Sequence, residues 1–227
     1  MLANYQAVAA AFAQTGLMLR GGFAPAASEP AASARCIVLV GNAGAGLWPA
    51  FQAARRDEPD PLDAWTRRVA GPIAARFGAA AVYPNDRPYH PFQAWARLAE
   101  PVHSSPLGIL IHPEFGLWHA YRAALLFASV LEGLPERKQA AAPCDTCTDK
   151  PCLGACPVKA FNGRSYDVAA CAGHLRSGAK PDCADHGCRA RDACPVAPDK
   201  RYPPEQVRFH MQAFVKSRGG PWPKPRP

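Results

Sequence analysis

The sequence predicts a mixed fold, α/β or α+β, followed by a separate cysteine-rich module. Predicted strands and helices alternate through the first part of the chain, which indicates a layered structure of helices on a sheet. The chain has one cysteine, Cys36, before Pro143 and eight after it, in a loop-rich segment with few long apolar runs. We therefore predict domains at residues 1–140 and 141–227, the second ending in a Pro-rich basic tail.

The first part contains two predicted helices. One begins near the N-terminus and stops at Gly21-Gly22, because apolar residues follow helical spacing there: Tyr5, Val8, Phe12 and Leu19. The other begins after Asp60, a candidate N-cap, with Pro61 at its first position, and ends at Gly78. A Pro/Ala/Ser linker is expected at Pro25–Ala34.

Short apolar runs predict the strands. These are CIVLV at 36–40, AAAVY at 79–83 and LGILI at 107–111, and HPEFG is expected to turn the last of them into a hairpin with LWHAYRAALLF. The stretch GNAGAG at 41–46 lies between a predicted strand and a predicted helix. It matches no complete phosphate-binding motif, so a tight turn is favoured over a phosphate cradle.

Composition and charge exclude some classes of function. A chain of 227 residues with 48% hydrophobic residues is long enough to bury a core. We expect no signal peptide and no membrane span, because Asn4, Gln6 and Gln14 interrupt the first apolar stretch, and therefore a cytoplasmic protein. The formal charge of +8 suggests a nucleic-acid partner. The cysteine pattern described next predicts two iron–sulfur clusters of about −2 each, which would halve this charge. We therefore expect no nucleic-acid partner.

The eight later cysteines form two sets that each end in Cys-Pro. In bacterial two-cluster ferredoxins, a compact C-x₂-C-x₂-C-x₃-C-P run gives three cysteines to one cluster and the fourth to the other. Crossing the two sets in this way predicts two [4Fe–4S] clusters and a ferredoxin-like module. The first cluster would be held by Cys144, Cys147, Cys152 and Cys194, and the second by Cys156, Cys171, Cys183 and Cys188.

Structural zinc is the competing interpretation of these cysteines. Zinc also takes four thiolates, often from paired C-x₂-C turns, but only Cys144 and Cys147 have that spacing. The doubled Cys-Pro favours iron, and zinc stays open as the alternative. Cys36 lies in an apolar run and is expected to be a buried hydrophobic residue.

The segment GILIHPEFGLWHAYRAALL resembles the hairpin of the cobalamin-processing MMACHC (CblC) family. That family carries an I-H-P-x-F-G-x-W-x-A-x-R pattern, and the matching residues here are Ile111, His112, Pro113, Phe115, Gly116, Trp118, Ala120 and Arg122. The order of hairpin and cysteine sets is similar to that of the epoxyqueuosine reductase (QueG) and reductive dehalogenase relatives. Those proteins pair a nitroreductase-like cobalamin-binding domain with a two-cluster ferredoxin module.

The resemblance implies a set of corrinoid contacts. They are Gly108, Ile109, Ile111, His112, Gly116, Trp118 and Arg122. Arg122 matches a family arginine near the upper axial face, and it is the candidate catalytic residue, since a buried guanidinium needs an anionic partner. A turn histidine bonded to backbone is an equally good interpretation of His112, and core packing is an equally good one of Trp118.

The sequence therefore predicts an oxidoreductase that reduces a bound corrinoid. Electrons from a donor protein or reductase would pass through two [4Fe–4S] clusters to cobalamin, reducing cobalt and expelling an upper ligand such as cyanide. Two alternatives stay open: a ferredoxin-type electron carrier without corrinoid chemistry, and a tRNA-modifying reductase like the epoxyqueuosine enzymes. The chain lacks the long C-terminal extension of the latter.

Overall fold

Two compact units make up the structure. The computed structural model describes residues 4–26, 31, 33–177 and 183–218. One unit spans residues 1–102 and 119–140, and the other spans residues 103–118 and 141–227. Residues 103–118, placed in the first predicted domain, thus group with the cysteine-rich segment. The Pro-rich tail and part of the Pro25–Ala34 linker lie outside the described residues.

The first unit is a four-stranded antiparallel sheet with helices, which confirms the mixed α/β class. Its described helices are α1 (Tyr5–Ala13), α2 (Trp48–Ala54), α3 (Pro61–Arg76) and α4 (Phe92–Ala99). Its described strands are β1 (Met18–Phe23), β2 (Cys36–Ala43), β3 (Ala79–Val82) and, in chain order after two short strands of the other unit, β6 (His119–Phe127). The strand order is β1-β2-β6-β3.

Strand β2 is buried from Cys36 to Asn42 because it lies between β1 and β6. Val38 is opposite Leu125 of β6, and Leu125 is in turn opposite Ala81 of β3. Cys36 is 1% exposed, as a small buried hydrophobic residue would be. A continuous apolar run is typical of a strand with neighbours on both sides and covered faces.

Two predicted elements of this unit were wrong in detail. The first helix ends at Ala13, and Leu19 and the two glycines that were expected to terminate it lie in β1, which pairs with β2. Asp60 occupies the predicted N-cap position of α3, but its backbone is left-handed, with a φ of 45°, and its side chain makes no capping hydrogen bond. Helix α3 nevertheless begins at Pro61 as predicted. The stretch GNAGAG ends β2 and turns into α2, as a strand-to-helix turn should.

The predicted hairpin does not form. Residues Leu110–Ile111 make a short strand, β5, whose partner is β4 (His103–Ser104). His112 and Gly116, the first and last residues of the turn HPEFG, exchange two backbone hydrogen bonds of 2.9 and 2.8 Å. After this turn the chain enters β6, which belongs to the sheet of the first unit. The turn was therefore predicted correctly, but the strand partner was not.

The second unit holds the eight later cysteines on short helices and loops. Its described helices are α5 (Pro151–Gly154), α6 (Val168–Ser177), α7 (Cys183–His186), α8 (Arg189–Asp192) and α9 (Pro204–Ser217), with a 3₁₀ turn at Pro198–Lys200. No described helix combines the length and the apolar character needed to cross a bilayer.

Candidate functional site

The first group of thiols in the second unit comprises Cys144, Cys147, Cys152 and Cys194. Burial raises the pKa of Cys144, and the thiols of the other three raise it further. The same neighbours act on Cys152, where burial again comes first and Cys194 second. Cys152 and Cys194 belong to one buried apolar cluster, and Cys144 packs against it, so these three side chains lie near one another.

The second group comprises Cys156, Cys171, Cys183 and Cys188. Burial raises the pKa of Cys183, and Cys171 and Cys156 add to it. The pKa of Cys188 is raised to about 11, first by burial and then by Cys171 and Cys183. All four thiols line one cavity of about 100 Å³ whose other walls are mostly apolar.

Backbone N–H groups point at these sulfurs. The amide of Ala160 donates to Cys156 Sγ over 3.3 Å. Backbone groups of Val196 and Arg189 bond to Cys194 and Cys183 and lower the pKa of each thiol, against the larger effect of burial. Hydrogen bonds from backbone to sulfur are one of the means by which proteins tune iron–sulfur sites.

Two groups of four thiols with N–H donors fit the chemistry of the predicted clusters. In a [4Fe–4S] cluster the protein ligands are cysteine thiolates, and four are needed for each cluster. Within residues 4–26, 31, 33–177 and 183–218, no three His, Cys, Asp or Glu side chains stand close enough to hold a single metal ion. Each group contains the four cysteines that the crossed ferredoxin pattern predicts, and their role as ligands stays a prediction.

Lys150 lies beside Cys144 and Cys147 of the first group, and the sequence analysis did not single it out. Its Nζ donates to the carbonyl oxygens of Cys144 at 3.1 Å and Cys147 at 3.0 Å. Its backbone is left-handed, with a φ of 38°, immediately before α5. The side chain therefore closes the loop that carries the first two cysteines. A lysine following a cysteine pair carries no distinctive sequence signal for this role.

The predicted corrinoid contacts of residues 108–118 lie in the same unit as the cysteines. Ile111 is 1% exposed and shares one apolar cluster with Leu107, Leu117 and the cysteines Cys152, Cys156 and Cys194. Gly108 and Ile109 lie at the surface, with Ile109 42% exposed. The predicted contacts are therefore exposed at the start of this segment and buried from Ile111 onward, and Leu107, Ile111 and Leu117 pack against cysteines.

His112 and Gly116 shape the turn of this segment. The Nδ1 atom of His112 accepts the backbone N–H of Glu114 at 3.0 Å, and its ring stacks on Phe115 at 4.3 Å. Gly116 has a φ of 56°, and a Cβ there would lie 2.3 Å from the carbonyl oxygen of Val196. Gly116 is therefore required both by the backbone conformation and by the close approach of the loop that follows Cys194.

Trp118 is held by an arginine from α8. The guanidinium of Arg191 lies 4.3 Å from the centre of the Trp118 ring and 4.8 Å from that of Tyr202. Arg191 also donates to the carbonyl oxygen of Leu117, with Nε at 3.1 Å. These three side chains line a second cavity of about 160 Å³ that also reaches Cys188. Packing and cation–π contact account for the burial of Trp118.

Arg122, the candidate catalytic residue, lies on β6 in the first unit. Its Nη1 is 3.9 Å from Oδ1 of Asp63 on α3, and its side chain is 16% exposed. Burial raises the pKa of Asp63, while Arg122 lowers it. The anionic partner that a buried guanidinium needs is thus supplied by an aspartate of the chain, which the sequence analysis did not consider. A role for Arg122 toward a corrinoid stays a prediction.

A buried polar network in the first unit was also missed. Arg20 is fully buried and binds Glu100 through two hydrogen bonds, Nε to Oε1 at 2.8 Å and Nη2 to Oε2 at 2.7 Å. The hydroxyl of Tyr121 donates to Oε2 of Glu100 at 2.7 Å. Nη1 of Arg20 reaches the carbonyl of Asn42, and Nη2 lies 3.3 Å from Nδ1 of His119. The network fastens α4, β1, β2 and β6 together.

Comparison with solved structures identifies the fold. A B12-trafficking protein of C. elegans, CblC, a homologue of human MMACHC, aligns with 93% of this chain and 92% of its own, at a TM-score of 0.55 and 14% identity. The chain shares the fold of CblC. No protein-family model matches the sequence, and no curated protein matches it.

Epoxyqueuosine reductases are further structural neighbours. A selenomethionine-labelled one matches at a TM-score of 0.48 and 15% identity over 77% of this chain and 52% of its own. The enzyme of Bacillus subtilis matches at 0.46 and 15%, over 76% and 52%. The chain thus spans about half the length of these reductases.

Proposed function

We propose that this protein is an iron–sulfur oxidoreductase that delivers electrons to a bound corrinoid. The observation that carries the proposal is that eight cysteines lie within one unit and that four of them line a single cavity. Thiolates in fours are the ligand set of [4Fe–4S] clusters, which supply one-electron transfer when bound. The fold shared with a B12-trafficking protein supports cobalamin as the molecule that receives the electrons.

The cysteine-rich unit provides the residues for each task. The groups of Cys144 and Cys156 would each hold one cluster, and the N–H donors to their sulfurs offset the negative charge that reduction adds. The buried residues of the segment 107–117 pack against Cys152, Cys156 and Cys194, so the segment that would contact the corrinoid lies beside cysteines that would hold the clusters.

The proposed reaction is reductive removal of an upper axial ligand. One electron, supplied by an external donor protein or reductase, converts Co(III) to Co(II). The bond from cobalt to a ligand such as cyanide then breaks, and the ligand leaves with its electron pair as an anion.

The test is an anaerobic reconstitution followed by a corrinoid titration. Protein reconstituted with iron and sulfide is assayed for both elements and by EPR, then titrated with cyanocobalamin and hydroxocobalamin before and after dithionite. We expect two clusters per chain, a changed corrinoid absorption spectrum on binding, and cobalt reduction faster than in protein-free controls. Clusters without corrinoid binding would favour a ferredoxin-type carrier, and stoichiometric zinc without iron would overturn the proposal.

Cys156→Ser tests the crossed arrangement of ligands. Because Cys156 lines one cavity together with Cys171 and Cys183, the variant should lose about half of its iron and keep the EPR signal of the cluster held by Cys144. Cys36→Ala is the matched control, since Cys36 lies in β2 of the first unit, and it should keep the full iron content. Retention of all iron by Cys156→Ser would contradict the assignment.

A further inference from the structure

The cavity of about 160 Å³ that Arg191 lines, here called the Arg191 cavity, combines an apolar wall with charged side chains. The rings of Trp118 and Tyr202 belong to the apolar wall, and α9 adds Pro204, Val207 and Met211. Pockets for drug-sized molecules enclose about 300–1,000 Å³. The Arg191 cavity is therefore too small for a corrinoid and suits a smaller ligand.

The carboxylates in the lining of the Arg191 cavity already have cationic partners. Nε of Arg201 lies 3.0 Å from Oδ1 of Asp192, and Nε of Arg208 lies 2.9 Å from Oδ1 of Asp185. Within the part of the chain that the structure describes, no carboxylate pairs with Arg191. Three guanidinium groups and two carboxylates thus leave one positive charge in excess when the histidines of the lining are neutral.

The guanidinium of Arg191 is oriented by contacts that use only part of its hydrogen-bonding capacity. Nε and Nη2 both donate to the carbonyl oxygen of Leu117, at 3.1 and 2.5 Å, and the group packs on the rings of Trp118 and Tyr202. A guanidinium has five N–H groups. The other three, on Nη1 and Nη2, make no hydrogen bond to a described residue. Two N–H groups in a fork match the two oxygens of a carboxylate.

Trp118 adds a second donor to the same wall. Its side chain is 4% exposed, and its Nε1 is buried without a hydrogen-bond partner among the described residues. An indole N–H can donate but not accept. The wall around Arg191 thus offers donors without acceptors, and an anionic ligand would supply the missing acceptors.

We propose that the Arg191 cavity binds a small organic monoanion, a carboxylate carried on an apolar or aromatic body. The carboxylate accepts hydrogen bonds from the remaining N–H groups of Arg191, and the body packs against Tyr202, Val207 and Met211. The single negative charge balances the single excess positive charge of the lining. This inference goes beyond the proposed function, because it requires neither a corrinoid nor an iron–sulfur cluster.

The probe is 4-fluorobenzoate, followed by fluorine NMR during titration of the full-length chain, both as purified and after anaerobic reconstitution. We expect saturable binding to the wild type in both states. In Arg191→Gln the dissociation constant should rise at least about tenfold, because hydrogen bonds to a charged group are lost. Arg164→Gln is the matched control: Arg164 is an exposed arginine of the same unit outside the lining, so the affinity should stay unchanged.

A second comparison uses the wild type alone. The amide 4-fluorobenzamide keeps the shape of the probe and lacks its charge, so it should bind at least about tenfold more weakly than 4-fluorobenzoate. This comparison decides the question even where Arg191→Gln fails to fold. Inorganic phosphate, which has no apolar body, should displace 4-fluorobenzoate less effectively than unlabelled benzoate does.

Four results would overturn the inference. The first is equal affinity of the wild type and a folded Arg191→Gln, and the second is equal affinity of the wild type for the benzoate and the benzamide. The third is stronger displacement by phosphate than by benzoate. The fourth is binding that disappears on reconstitution, which would assign Arg191 to the charge of a cluster at Cys188. A chain that takes up no iron would overturn the proposed function and leave the titration of the purified chain unaffected, so the two failures are distinguishable.

Discussion

Replacing Glu100 with glutamine tests the buried network of the first unit. Glu100 follows the last turn of α4 and accepts hydrogen bonds from Nε and Nη2 of Arg20 and from the hydroxyl of Tyr121. In Glu100→Gln, an amide NH₂ takes the place of one carboxylate oxygen. At least one donor of Arg20 or Tyr121 then faces another donor, and the guanidinium keeps its charge without an anion beside it.

The cost follows from the burial of Arg20. Its side chain is fully buried, whereas that of Glu100 is 11% exposed. Removing one partner of a buried ion pair costs about 3–5 kcal/mol, because the other charge stays buried and uncompensated. The small opening at Glu100 admits some solvent, so we expect the lower end, about 3 kcal/mol. For a chain of this size each kcal/mol lowers Tm by about 2–4 °C, which gives a fall of roughly 6–12 °C.

Scanning calorimetry of the wild type and variant measures this difference. The control is Glu58→Gln, because Glu58 pairs with Arg68 over 2.6 Å but both side chains are more than a quarter exposed. A surface pair of that kind contributes about 0–1 kcal/mol, so the control should lose no more than a few degrees. Equal Tm values for the two variants would refute the argument from burial. Arg20→Met combined with Glu100→Leu should recover much of the loss, because it leaves no charge unpaired.

Three further predictions concern protonation and backbone contacts. Burial raises the pKa of Tyr121, so above about pH 10 the unfolded chain loses a proton that the folded chain keeps. The free energy of unfolding of the wild type, relative to that of Tyr121→Phe, should therefore fall by about 1.4 kcal/mol per pH unit in this range. Denaturant titrations of both proteins measure this difference. Gly116→Ala should destabilise the protein by about 1–3 kcal/mol more than Gly108→Ala. Both glycines have a positive φ, but a Cβ would meet a backbone oxygen only at Gly116, because Gly108 faces open space. Equal unfolding free energies would contradict the contact. Lys150→Met removes two hydrogen bonds to the first cysteine loop, so a chelator should remove iron from that site roughly tenfold faster, while an unchanged rate would count against the role of Lys150.

Local patterns in the sequence predicted elements whose determinants are local. Strand β2 follows from an unbroken apolar run, and α3 follows from Pro61 and the spacing of Leu62 and Trp65. Leu19 fitted helical spacing equally well, but pairing of β1 with β2 overrode it. The choice of partner for β6 could not be predicted either, because it depends on contacts with Cys36–Ala43, far away in the sequence.

In the candidate site, too, residues in local motifs were predicted and residues that depend on remote contacts were not. Cysteine spacing predicted two groups of four ligands because metal ligands follow local patterns, and this grouping stays a prediction. Arg20 and Glu100 are eighty residues apart, and neither belongs to a motif. Nothing in the sequence distinguishes Asp63 as the partner of Arg122, because an ion pair between remote side chains leaves no pattern along the chain.

The cysteines of the two proposed groups overlap along the sequence, and their order determines when each group is complete during synthesis. Cys156 emerges from the ribosome early but belongs to the group that ends with Cys188, and the group that begins at Cys144 waits for Cys194. A nascent chain that has extruded the first four of its eight later cysteines therefore holds two incomplete sets, three thiols of one and one of the other. Both sets are completed between Cys188 and Cys194, so a chain that binds clusters as proposed would take them up in one late event.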